Sequence, residues 1–206
     1  PSTPKQRRRF CAVFLGKGFT MPAAPLPPLS IDIGTDMSNH TLPDAEQLFA
    51  VLKTQMAPAI ARDAKLVGVY SGGAWLADRL AAELDGDHAV GYIDVSFYRD
   101  DLSTSGLKAN VRSTQIPFSV QDAHIVLVDD VLFTGRSIRA AINTLFDYGR
   151  PASVQLAVLV DRGGREIPVA ADYVGAPLIV ARDLMLALDR DDDGKFALTT
   201  EPWKAR

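Results

Sequence analysis

The stretch Val126-Leu127-Val128-Asp129-Asp130-Val131-Leu132-Phe133-Thr134-Gly135-Arg136-Ser137-Ile138 constrains the fold more than any other part of the chain. His124 to Asp129 contains a continuous apolar run, Ile125 to Val128, of the kind buried on both faces of a parallel sheet. Two carboxylates follow at once. Then Thr-Gly-Arg-Ser leads into a stretch with Ile138, Ala141, Ile142, Leu145 and Phe146 at helical spacing, stopped by Gly149 and Pro151. Val154 to Val160 is a second buried run. Strand, helix and strand in this order predict an α/β fold with a doubly wound parallel sheet. In such sheets ligands gather outside the carboxyl ends of the strands.

The rest of the chain extends the pattern. Ala45, Leu48, Phe49, Leu52, Met56 and Ile60 predict an amphipathic helix over 43–61, opened by the capping-box-like Thr41-Leu42-Pro43-Asp44. Lys65 to Tyr70 reads as a strand ending in Ser71-Gly72-Gly73. A helix with Trp75, Leu76, Leu80 and Leu84 on one face follows, and His88 to Phe97 reads as another strand. Leu102 to Gln115 has no clear period and is expected to be a long loop, a type that is often functional. After Asp161, four short apolar pieces (172–174, 178–180, 184–188 and 195–199) are expected to form a small antiparallel subdomain or edge. Residues 1–36 are expected to be a disordered extension, because a basic start, a short interrupted apolar patch and a proline run do not make a packed unit or a convincing export signal. Met21 or Met37 could start the natural chain, and 37–206 is the expected domain.

The residue types at the Asp129–Ser137 segment suit a sugar phosphate. Free backbone N–H groups at a helix start attract an anion. Gly135 permits close backbone approach, and the Thr134 and Ser137 hydroxyls can donate to phosphate oxygens. Asp129 and Asp130 can accept hydrogen bonds from sugar hydroxyls and orient a hydrated Mg²⁺ through water. The two halves lie about one helical turn apart, the span of a ribose 5-phosphate. A Walker-type nucleotide loop is excluded, because no glycine-rich run ends in Gly-Lys-Ser/Thr.

The segment resembles the phosphoribosyl pyrophosphate signature of type I phosphoribosyltransferases. Tyr98-Arg99-Asp100-Asp101-Leu102, Asp147-Tyr148-Gly149-Arg150-Pro151, Val160-Asp161-Arg162-Gly163, Arg165-Glu166 and Ala171-Asp172-Tyr173-Val174-Gly175 narrow the resemblance to the pyrimidine operon regulator/uracil phosphoribosyltransferase family, from about residue 43 onward. The resemblance implies transfer of ribose 5-phosphate from phosphoribosyl pyrophosphate to uracil, giving UMP and pyrophosphate, with Mg²⁺. It implies catalytic roles for Asp129, Asp130 and Arg99. Phosphoribosyl pyrophosphate would be bound by Ser71, Gly72 and Gly73 and by Asp129, Asp130, Val131, Leu132, Phe133, Thr134, Gly135, Arg136 and Ser137. It also implies a flexible lid carrying Lys108 and Arg112, a base hood at Val160, Asp161 and Arg162 in the C-terminal region, and assembly into homo-oligomers.

Two departures bear on activity. Ser71-Gly72-Gly73 stands where the family usually has Thr-Arg-Gly, which removes a cation from the pyrophosphate loop. Gly164 follows Asp161-Arg162-Gly163 where RNA-binding members carry His, and the first helix lacks a basic stripe. Arg139, Arg150, Arg162 and Arg165 are expected to be solvated or paired surface charges. Together with a net charge of -3, this ranks RNA-dependent regulation of pyrimidine operons second to catalysis. A lone cysteine, Cys11, forms no internal disulfide and suits the reducing cytoplasm, and no run is long enough for a membrane helix. Asp189 to Gly194 has a calcium-loop look, but Thr200 occupies the twelfth position, so a hairpin turn at Asp193-Gly194 is expected. His40, His88 and His124 have no metal spacing, and Trp75 and Trp203 are expected to pack.

Overall fold

The computed structural model describes residues 42–84, 89–95 and 113–202. The first helix, α1 (Ala45–Ile60), is capped by Asp44 itself, whose carboxylate accepts the Glu46 N–H at 2.9 Å. It buries Ala45, Leu48, Phe49, Leu52, Met56 and Ile60, the stripe read from the sequence. Then come β1 (Lys65–Val69), α2 (Gly72–Glu83), β2 (Val90–Ile93), β3 (His124–Leu132), α3 (Arg136–Asp147) and β4 (Ser153–Asp161). The chain closes with β5 (Tyr173–Pro177), β6 (Leu184–Arg190) and β7 (Phe196–Pro202).

β1 to β5 form a parallel sheet in the order β2-β1-β3-β4-β5. Alternate side chains of each strand feed the two faces. Val126 and Val128 pack with Leu66 beneath α1 and α2. Ile125 and Leu127 pack with Val67 and Val69 beneath Ile138, Ala141 and Leu145 of α3. Helices therefore cover both faces, and the sheet is doubly wound. Phe146, expected to point inward, is 53% exposed, because the buried stripe of α3 runs through Ile138, Ala141 and Leu145 and leaves it at the edge.

The structure departs from the sequence expectation in two places that matter for the site. β3 does not stop at Asp129. It stays in register with β4 through Asp129↔Val158 and Val131↔Val160, so both carboxylates lie within the strand. The C-terminal region is not one antiparallel unit. Residues 173–177 join the main sheet as its fifth parallel strand, 178–180 is not a strand, and only β6 and β7 pair antiparallel.

That hairpin turns at Asp191–Lys195 with Gly194 at φ +82°, as the Asp193-Gly194 pair predicts. Its Leu186, Leu188 and Phe196 enter the core beside α1, where Phe196 meets Phe49 edge-on at 5.6 Å. Glu46 fixes this corner. Its Oε1 accepts Arg79 Nη1 and the Phe196 N–H, each at 2.7 Å. Among the described residues no helix is long and apolar enough to cross a membrane.

Candidate active site

Asp129 and Asp130 are 5% and 9% exposed at the carboxyl end of β3. In each, Oδ1 accepts the backbone N–H of the next residue, at 3.1 and 3.0 Å. Neighbouring strand side chains point to opposite faces, so the two acids diverge instead of sharing one mouth. Asp129 lines a small cavity with Thr134, Gly135 and Ser137, walled by Leu132 and Ile138. Its volume of about 50 Å³ exceeds the share of one water, ~30 Å³. Asp130 turns the other way, onto the loop that opens α2.

That loop is Ser71-Gly72-Gly73, entered through a cis Tyr70–Ser71 peptide. Ser71 is the α2 N-cap but makes no side-chain cap, which leaves backbone N–H groups at the helix start. Gly72 faces the Asp130 carboxylate, and Gly73 lies on the β3 backbone, where a Cβ would fall 2.8 Å from Asp129 Cα. Glycine is required here by close approach, since both residues, the first two of α2, are buried against β3.

On the other side, Phe133-Thr134-Gly135 turns β3 into α3. Gly135, at φ +89°, is the N-cap and brings no capping side chain. Thr134 is buried, and its Oγ1 lies 3.4 Å from Arg136 N. The Arg136 guanidinium does not point into the cavity. It pairs with Glu166, at 2.5 and 3.0 Å to Oε2, so its contribution there is its backbone N–H.

The segment after β4 folds back over this turn. The Arg162 N–H donates to Leu132 O, and the Glu166 and Ile167 N–H groups donate to Thr134 O, at 3.0 to 3.1 Å. Val160 is buried, and Asp161 Oδ1 accepts the Gly163 N–H at 2.9 Å. Arg162 is not a surface charge: it is 7% exposed, donates to Ala181 O and Leu184 O, and stacks 4.1 Å over the Phe133 ring. Burial lowers its pKa. Arg165 is also taken up internally, by Asp161 and by backbone carbonyls. Arg139 and Arg150 remain exposed, as expected.

The structure thus brings Ser71–Gly73, Asp129–Ser137 and Val160–Arg162 to one end of the sheet. Arg99, Lys108 and Arg112 lie outside the described residues. The returning end of their segment is described: Gln115 exchanges backbone hydrogen bonds with Tyr92 at 2.7 and 2.9 Å, which anchors it to β2. Sequence reasoning missed the part played by Arg165 and Glu166. The Asp161-to-Arg165 spacing at the end of a buried strand was the available sign. Among the described residues no group of three or more His, Cys, Asp or Glu is arranged to hold a metal ion. A hard cation here would have to draw on one of the two diverging carboxylates, Asp129 or Asp130, completed by water and oxygens of a bound substrate, a donor set of the kind Mg²⁺ takes.

A second, more open groove of about 570 Å³ lies between α2 and the β6–β7 hairpin. Arg190 stacks over Trp75 there, Arg79 is tied to Glu46 and Asp78 accepts from Tyr92, and charges of both signs line it.

Comparison with known proteins places this arrangement. Residues 51–183 match the phosphoribosyl transferase domain family. The chain is 50% identical over 166 residues to the bifunctional protein PyrR of Ralstonia nicotianae, covering 77% of this chain and 95% of that protein. It is 45% identical over 149 residues to the PyrR of Nitrosococcus oceani, covering 71% and 84%. Among solved structures, a hypoxanthine-guanine phosphoribosyltransferase from Bacillus anthracis superposes with a TM-score of 0.54 at 22% identity, covering 68% of this chain and 85% of that one. The hypoxanthine phosphoribosyltransferase of Trypanosoma cruzi gives 0.54 at 23%, covering 78% and 95%. At such identities the two structures speak to the fold alone.

Proposed function

Because this chain belongs to the phosphoribosyl transferase domain family and, within it, groups with the bifunctional PyrR proteins, we propose that it transfers ribose 5-phosphate from phosphoribosyl pyrophosphate to uracil, releasing UMP and pyrophosphate. The observation that carries this reading is the placement of Asp129. It shares one cavity with Thr134, Gly135 and Ser137, while its neighbour Asp130 lies against Gly72 at the start of α2.

In this reading the start of α3, whose N-cap Gly135 brings no side chain, holds the 5-phosphate together with the Thr134 and Ser137 hydroxyls. The Asp129 carboxylate, beside that cavity, accepts from a ribose hydroxyl. The start of α2 offers backbone N–H groups to the pyrophosphate. As pyrophosphate departs, positive charge develops on the ribose ring, and buried carboxylates near it lower the barrier without forming a covalent bond. Mg²⁺, when bound with the substrate, neutralises pyrophosphate oxygens. The fold-back after β4, with Val160, Asp161 and Arg162, forms the hood against which the base rests. Arg99, Lys108 and Arg112 would act from the segment between β2 and β3.

A coupled assay with uracil, phosphoribosyl pyrophosphate and Mg²⁺ tests the reading. UMP formation is the expected result, and absence of turnover with every nucleobase would end it. Bifunctionality in the names of the relatives favours one second reading, a pyrimidine-sensing regulator that binds leader RNA. Arg162 and Arg165 are engaged inside the protein, so such binding would have to use other cations. RNA titration across salt concentrations tests it, since phosphate contacts give a steep salt dependence. Self-assembly, also implied by the family, is tested by sedimentation.

A further inference from the structure

We propose that Arg165 is a positioning residue that locks the phosphate turn to the base hood, so that the geometry of the 5-phosphate site depends on a guanidinium that never touches the ligand. This inference rests on the reading of the β3–α3 turn as a monoester site.

Arg165 reaches five acceptors on five residues. Nη1 donates to Leu132 O at 3.0 Å, Phe133 O at 2.8 Å and Gly163 O at 3.2 Å. Nε donates to Val169 O at 3.1 Å, and Nη2 to Asp161 Oδ2 at 2.5 Å. These acceptors belong to the last residue of β3, the first residue of the turn, the last residue of β4 and both limbs of the hood loop. The carbonyls of Leu132 and Phe133 lie at the point where β3 becomes the turn, and Leu132 O also accepts the Arg162 N–H at 3.1 Å. Nη1 serves both, while Nη2 and Nε of the same planar group reach Asp161 and Val169, a spread that a single lysine nitrogen cannot span.

The consequence is directional. A peptide unit whose carbonyl is pinned has its following N–H pinned too, because the unit is planar. Fixing Leu132 O and Phe133 O therefore fixes the N–H groups of Phe133 and Thr134 at the rim of the cavity that Asp129, Thr134 and Ser137 line. The Glu166 and Ile167 N–H groups hold the next carbonyl, Thr134 O, from the same loop. Three successive carbonyls, the last of β3 and the first two of the turn, are thus held by residues 165–167. Asp161 neutralises the Arg165 charge on the hood side, with side chains 22% and 27% exposed.

The test is UMP binding by titration calorimetry with the full chain, using the native protein, Arg165→Met and Arg165→Lys. The expected result is a UMP Kd raised about tenfold to a hundredfold in Arg165→Met, with the number of sites per chain unchanged, because small displacements of positioned groups cost that much. Arg165→Lys keeps the charge beside Asp161 but holds fewer carbonyls, and falls between the two. If Arg165 served stability alone, the site number would fall with the folded fraction while Kd stayed native, and that result overturns the proposal. An unchanged Kd in folded Arg165→Met does the same. Where Arg165→Met does not fold, a native Kd in Arg165→Lys overturns it and a raised Kd supports it. Failure of the native protein to bind UMP would strike the functional reading instead, which separates the two.

Discussion

Gly72 lies directly against the carboxylate of Asp130: a Cβ at position 72 would fall 2.7 Å from Asp130 Cγ and 2.8 Å from its Cβ. The Ser-Gly-Gly loop is therefore more than a family loop that lacks its arginine. It is a loop that has closed onto the acid behind it. Putting the arginine back is expected to harm the enzyme. Gly72→Arg, and even Gly72→Ala, must push the loop or Asp130 aside. Either change should lower kcat/KM for phosphoribosyl pyrophosphate about tenfold or more. Higher turnover in Gly72→Arg, measured in the coupled assay, would show that the loop adapts and that the contact is incidental.

The divergence of the two acids makes their substitutions distinguishable. Asp129 faces the cavity shared with Thr134 and Ser137, and Asp130 faces the start of α2. Asp129→Asn should weaken UMP and phosphoribosyl pyrophosphate alike, by about 1.5–3 kcal/mol, the range for a hydrogen bond to a charged group. Asp130→Asn should weaken phosphoribosyl pyrophosphate and leave UMP, which lacks the pyrophosphate, closer to native. Calorimetric titration of both ligands into both variants decides it, and equal losses in the two variants would mean that the acids act as one unit.

Much of the site was legible because its parts are local. A buried run, two acids and Thr-Gly-Arg-Ser are consecutive in sequence, and the helix period after Ile138 fixes where α3 must start. What was not legible depends on pairing at a distance. Nothing in Val131-Leu132 says that β3 runs on past the acids, because that follows from β4 staying in register beside it. The assignment of residues 173–177 to the main sheet is settled by β4, through Val158↔Val174 and Val160↔Ala176, and their own period carries no such information. Arg162 and Arg165 read as surface charges because arginine usually is one. Their burial arises where the hood folds over the turn, a contact between segments some thirty residues apart in sequence.

Glu46 links α1, α2 and β7 through one oxygen. The Arg79 hydrogen bond, helped by the Phe196 N–H, holds its carboxyl below the usual value, against the opposing effect of burial. A depressed folded-state pKa means that the stabilisation is complete above the unfolded value and is lost as pH falls through the folded one. Glu46→Gln should therefore cost about 1 kcal/mol at neutral pH, a modest figure because the pair is partly solvated. The gap between variant and native should close once the solution is more acidic than the native Glu46 pKa. Urea denaturation at neutral and acidic pH measures both values. A gap that stays constant across that window would assign the effect to packing and leave the charge without a part.

Gly164→His restores the residue that RNA-binding members of the family carry, and the structure argues that this chain cannot accept it unchanged. Gly164 sits at φ +73°, and a Cβ there would lie 2.5 Å from Phe133 Cε2 and 3.0 Å from Cδ2. The left-handed backbone alone costs a residue with a side chain about 1–2 kcal/mol. The Phe133 ring, over which the Arg162 guanidinium stacks at 4.1 Å, would also have to shift. Phe133 begins the turn that lines the proposed 5-phosphate cavity, so the disturbance reaches the site. The expected outcome is a less stable protein, by roughly 1–3 kcal/mol in total, with weaker UMP binding and no gain in salt-sensitive RNA affinity, because one neutral imidazole does not supply a basic face. Native stability together with new RNA binding in Gly164→His would show instead that the hood tolerates the family residue.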